Sequence, residues 1–205
     1  MKTSEYTMPH IGIYLQNKFD FLSLIDDIFN NLLLKDLVDL EGKSGELFSK
    51  ITIDKFIDRE LKHDYFVVRS DNNSPLHSMS SGQQRKSLLR YLISQKPDFL
   101  VLDDIFASVD KETRAYIIEQ LSLIANETLF IQIFYRKADI LDFIHTIVVL
   151  DEFGKIRSVV RKEDFTQKHQ TDNIRQQSSE LPYCLHNSEP VANPLISLKN
   201  VSLSY

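Results

Sequence analysis

Phe21, Leu24, Ile25, Ile28, Phe29 and Leu32 recur three and four residues apart, the spacing of one apolar helix face. They predict a helix over about Asp20–Leu33, just after a short apolar strand at Ile11–Leu15. Further on, Leu47–Ile53 and Tyr65–Ser70 read as strands on either side of the charged helical run KFIDRELKH, and DNNSP at Asp71–Pro75 has loop composition. Ser80, Ser81 and Gly82 precede a helix with Leu88, Leu89, Leu92 and Ile93 on one face. Serines suit such a start because their hydroxyls accept hydrogen bonds from free N–H groups, and Pro97 stops the helix.

Phe99-Leu100-Val101-Leu102 is an unbroken apolar run, as expected of a strand buried on both faces of a parallel sheet, and it ends at Asp103 and Asp104. Asp110 is placed to cap a helix over Lys111–Ile124. Strands follow at Leu129–Phe134 and Thr146–Leu150, with a short helix at Ala138–Ile144 between them, and a turn at Glu152–Gly154 leads into Lys155–Val160. This alternation implies an α/β fold with right-handed crossovers. Residues 161–193 are polar and aperiodic, which reads as a linker, and PLISLKNVSLSY at 194–205 is strand-like again.

With 205 residues, 42% of them hydrophobic, the chain can bury one ordinary core and carry a tail. A formal charge of −5 gives no basic excess for a polyanion surface, so nucleic acid is not indicated. Cys184 is the only cysteine, which excludes an intramolecular disulfide and a CxxC zinc site and fits a reducing, cytoplasmic setting. Ile140–Leu150, among the most apolar windows, is broken by Asp142 and His145 and is far shorter than the roughly 20 residues that span a bilayer. No basic-then-apolar signal segment begins at Met1. A membrane role would therefore run through a partner.

The chemistry lies in Met79-Ser80-Ser81-Gly82-Gln83, in Asp103-Asp104 ending the apolar strand 23 residues after Ser80, in Ser108-Val109-Asp110, and in Phe134-Tyr135-Arg136 leading to VVLDEFGKI. Each alone has a plain alternative: a capped surface helix, a solvated strand end. Together, in this order and spacing, they resemble the ATP-binding cassette (ABC) family over about Leu76–Val160. The resemblance implies a P-loop-NTPase-like parallel sheet flanked by helices, with ATP and Mg2+ as cofactors. Met79–Gln83 would be the signature loop, in which Ser80, Ser81, Gly82 and Gln83 face the γ-phosphate held by an opposite cassette; a helix N-terminus suits an anion. Asp103 would be the magnesium-associated carboxylate, Asp104 would stand at the catalytic Glu, Tyr135 at the switch His, and Asp110 would couple two cassettes.

The family's phosphate loop, GxxxxGK[ST], wraps phosphates with glycine backbone and neutralises them with Lys. The five glycines are Gly12, Gly42, Gly45, Gly82 and Gly154, and Gly42-Lys43-Ser44 fails the pattern because Leu37 stands where the first glycine belongs. The positional counterpart is Gln16-Asn17-Lys18-Phe19-Asp20, which has no glycine and carries an acid. Asp104 for Glu, Tyr135 for His, Ser81 for Gly and Ile105 for Pro are further departures, and a mispositioned general base alone slows a reaction ~10²- to 10⁴-fold.

The expectation is a degenerate cassette over 1–160, a linker over 161–193, and the first strand of a second cassette from 194, with Tyr205 stacking on adenine. The overall resemblance is to tandem proteins akin to molybdate-transport ATPases, whose partners would be a second cassette, in cis or in trans, and a permease at the inner membrane. A non-enzymatic scaffold and a non-functional fragment are the rivals, and the position of the glutamine that usually follows a middle strand stays open.

Overall fold

The computed structural model describes residues 8–15 and 20–167, and the compact unit they belong to ends at Gln167. The elements are β1 (Ile11–Tyr14), α1 (Phe21–Phe29), β2 (Gly45–Phe48), α2 (Lys50–His63), α3 (Ser81–Ser94), β3 (Phe99–Asp103), α4 (Lys111–Ile124), β4 (Leu129–Phe134), β5 (Thr146–Leu150) and β6 (Ile156–Arg161). They build one sheet in the order β2-β3-β4-β1-β5-β6. β1 to β5 run parallel, and β6 returns antiparallel to β5.

Both faces of the sheet are covered along its central strands, which is why β3 and β4 are apolar at nearly every position. Leu100, Leu102, Phe130, Phe134 and Ile147 point to a core shared with Leu88, Leu89 and Leu92 of α3 and Ile117 and Leu121 of α4. Ile11, Ile13, Val101, Ile131, Ile133 and Val148 point the other way, to Leu24, Ile25 and Ile28 of α1. His10, ahead of β1, is 1% exposed; its Nδ1 accepts the Phe130 N–H at 3.0 Å and its ring stacks on Phe130. Burial pushes its pKa down to about 4, since a charged imidazole would lose its hydration there.

Several sequence expectations are corrected. Residues 51–53 are helical, not strand, because Ser49 accepts the Thr52 N–H and starts α2 there. Tyr65–Ser70 forms only an isolated bridge, Arg69 to Pro75. α1 stops at Phe29, where Asn31 has φ +55°. The helix expected at Ala138–Ile144 is a single 3₁₀ turn, Lys137–Asp139. β6 continues through Arg161, and a helical turn at 162–167 buries Phe165. Most of the linker and the strand-like 194–205 lie outside the described residues.

Candidate functional site

The carboxyl ends of β2, β3 and β4 lie side by side, where ligands bind in open parallel sheets. β3 delivers Asp103 there, paired in register with Ile133 of β4. Asp104 follows with φ +40°, a left-handed geometry that Asp tolerates better than most residues. Tyr135 follows β4. Burial first, then the charges of Asp103 and Asp104, raise its phenol pKa, so the structure brings these three together. Asp103 is raised to about 6, chiefly by desolvation and then by Asp104, with Arg85 opposing.

Arg85, which the sequence motifs did not single out, completes this cleft. Ser81, Gln84, Arg85, Asp103, Asp104 and Ser108 line it, with Lys50 at its rim. Arg85 sits on the same α3 face as Leu88, Leu89 and Leu92 and is 7% exposed. Its Nη1 has no hydrogen-bond partner. The warning in the sequence was a cation on an apolar stripe.

The signature-like loop is built as a helix start. Ser80 Oγ accepts the Gln83 N–H at 3.4 Å while Gln83 Oε1 accepts the Ser80 N–H at 3.0 Å, a capping box. Ser80, Ser81 and Gln83 are exposed, and the first N–H groups of α3 point outward as they do at any helix start. Gly82 lies against α4: a Cβ there would stand 2.9 Å from Thr113 Oγ1. Asp110 caps α4 through the Thr113 N–H at 2.6 Å, a bond that holds its carboxyl pKa down. The Ser80 and Asp110 segments are therefore fixed to each other, with Lys86 and Glu112 paired at 2.8 Å beside them.

A second polar group holds the loop from behind. Glu60 of α2 is 2% exposed. It accepts the Leu76 and His77 N–H groups at 2.8 and 2.9 Å and meets His77 Nδ1 at 3.0 Å. The 3₁₀ turn Leu76–Ser78 that precedes Ser80 is thus pinned to α2.

The β1–α1 junction is of the opposite kind. Asp20 caps α1, its Oδ1 accepting the Leu22 N–H at 3.2 Å and the Ser23 N–H at 3.4 Å. Free N–H groups at a helix start are the kind of donors that bind anions, and here two of them are filled by Asp20. Gln16–Phe19 and Tyr205 lie outside the described residues. Gly42-Lys43-Ser44 sits at the other end of the sheet, where the Ser44 N–H and Oγ donate to Asp98 at 2.7 and 2.8 Å. Ser49 and Lys50 follow β2 directly. Among the described residues no group of three His, Cys, Asp or Glu is placed to hold a metal ion. With Asp20 covering the helix start and Arg85 sharing the carboxylate cleft, these residues do not fit a magnesium-bound nucleotide held by this chain alone.

No family model matches the chain. The ABC transporter NFT1 of Saccharomyces cerevisiae is 33% identical over 81 residues, 37% of this chain and 7% of the transporter. A Saccharolobus solfataricus protein described as an ABC transporter ATP-binding protein is 24% identical over 120 residues, 58% of this chain and 22% of the relative. The matched segments are therefore well under half of either relative. Among solved structures, the ATP binding subunit of an ABC transporter aligns with a TM-score of 0.55 and 10% identity, over 82% of this chain and 88% of the subunit. A bacterial Atm1-family ABC exporter with ATP bound aligns with a TM-score of 0.50 and 16% identity, over 85% of this chain and 37% of the exporter. The fold is that of ABC ATPase neighbours, and the weak relatives support the ABC family.

Proposed function

We propose that this chain is an ATP-binding cassette domain that lends its signature loop to a nucleotide bound on a second cassette and holds little or none itself. The contrast between two helix starts carries this reading. At α3 the cap is a neutral serine on an exposed loop, tied to α4 and to Glu60; at α1 the corresponding donors are filled by a carboxylate.

In this reading Ser80 Oγ and the N–H groups of Ser81 and Gly82 donate to the γ-phosphate of the partner's ATP, and Gln83 orients beside them. Asp110, exposed at the start of α4, meets the second cassette and relays its position to Thr113. Asp104 and Tyr135 contribute little chemistry here. ATP and Mg2+ belong to the composite site. The partner is a second cassette, supplied in cis beyond residue 194, as in tandem proteins akin to molybdate-transport ATPases, or in trans. No helix among the described residues is long and apolar enough to cross a membrane; a cytoplasmic cassette that docks on a permease accords with that.

Two measurements test the proposal. The 205-residue chain titrated with ATP and Mg2+ should show no binding below millimolar; micromolar affinity abolished by Asp103→Asn would sink it. In the assembly with its second cassette, Ser80→Arg should slow ATP turnover at least ~100-fold, as loss of a transition-state donor does. Unchanged turnover would leave the domain a scaffold.

A further inference from the structure

We infer that Arg85 is a built-in counter-cation for Asp103 and Asp104, standing in the electrostatic place of a divalent ion, so that this cleft does not take up magnesium. The inference concerns the chain's own cleft and does not depend on what the signature loop serves.

The argument starts from helix geometry. Positions 85, 88, 89 and 92 share one face of α3, and the last three are leucines with no exposure. An arginine in that row is kept by the fold only if something on the facing layer compensates its charge, because a guanidinium does not deprotonate in proteins. What faces it at the end of β3 is the acidic pair. Arg85 shares a cleft with both carboxylates; burial lowers the basicity of its guanidinium, and Asp104 and then Asp103 oppose that lowering.

The same cleft is poor for magnesium. That ion needs near-octahedral oxygen ligands at close range, normally one or two carboxylates with substrate phosphates supplying more. Here the charged donors stop at two carboxylates, beside the neutral Ser81, Gln84 and Ser108, and no third His, Cys, Asp or Glu joins them among the described residues. A fixed positive charge in the cleft further repels a dication, by on the order of tenfold to a hundredfold in affinity at short range. Arg85 Nη1 is buried without a hydrogen-bond partner, in a residue that lines the cleft an arriving cation would have to enter.

The test is Mn2+ titration of the full chain, read by electron paramagnetic resonance of free Mn2+. Wild type and Arg85→Lys, which keeps the charge, should bind none below about 1 mM. Arg85→Gln should gain affinity at least tenfold, and Arg85→Gln with Asp103→Asn should lose it again. Submillimolar binding by the wild type that Asp103→Asn abolishes would overturn the inference, as would an Arg85→Gln variant with no gain. If Arg85→Gln is too unstable to titrate, thermal melting of Arg85→Met with and without MnCl2 decides: selective stabilisation by Mn2+ supports the assignment, and none refutes it.

Discussion

Replacing Asp103 by asparagine should make the protein more stable at alkaline pH. The side chain is held at the end of β3 with its pKa raised to about 6 from 3.8, first by desolvation and then by Asp104. A raised acid favours the folded state below its unfolded pKa, and that advantage is lost as pH rises through the folded value. The window is therefore about pH 4 to 6. About two units at ~1.4 kcal/mol each give ~3 kcal/mol, and a discount for the partly open cleft leaves ~2 kcal/mol. Asparagine keeps the shape and removes the charge, so at pH 8 it should raise the melting temperature by about 4–8 °C for a domain of this size. At pH 4 the difference should vanish. Circular-dichroism melts across pH 4 to 8, at low concentration near the pI of about 5.7, would measure both. An asparagine variant no more stable than wild type at pH 8, or a gain that persists undiminished at pH 4, would refute the burial argument.

His10 slopes the other way: its folded pKa of about 4 lies below the ordinary 6.5 of an imidazole, so its contribution is full above pH 6.5 and falls by ~3 kcal/mol as pH drops to 4. His10→Gln should flatten acid destabilisation in urea unfolding at pH 6.5, 5.5 and 4.5. An unaltered slope would show that the imidazole is not the group responsible. Glu60→Ala strands the Leu76 and His77 N–H groups, and should cost ~2–4 kcal/mol while speeding amide exchange from Leu76 to Ser80. Unchanged exchange there would dissociate Glu60 from the segment that leads into α3.

The strands Phe99–Asp103, Leu129–Phe134 and Thr146–Leu150 are legible because burial on both faces leaves an apolar run with little ambiguity, and the capping residues Ser80 and Asp110 can be read from their type and place. The region from Ser49 to Ser78 is not. Ile51, Thr52 and Ile53 have strand-like composition, yet Ile53, Phe56, Ile57 and Glu60 follow the helical period, and the cap at Ser49 decides for the helix. The same oversight hid two functional candidates. Glu60 and Arg85 both occupy helical positions whose neighbours are apolar, and a charge in such a row has a partner elsewhere in the fold. Motif matching looks for expected residues at expected places and passes over such intruders. The absent phosphate loop was visible as missing glycines, but that Asp20 turns back on its own helix required the geometry.

Under the proposed function, that cap has a consequence for any attempt to give this chain a nucleotide site of its own. A carboxylate tethered two and three residues from the donors it occupies competes at an effective concentration far above the millimolar range of a free ligand. Glycines introduced at 16–19 would loosen the backbone and still face a resident inhibitor that cannot diffuse away. A gain of function would have to begin by evicting Asp20.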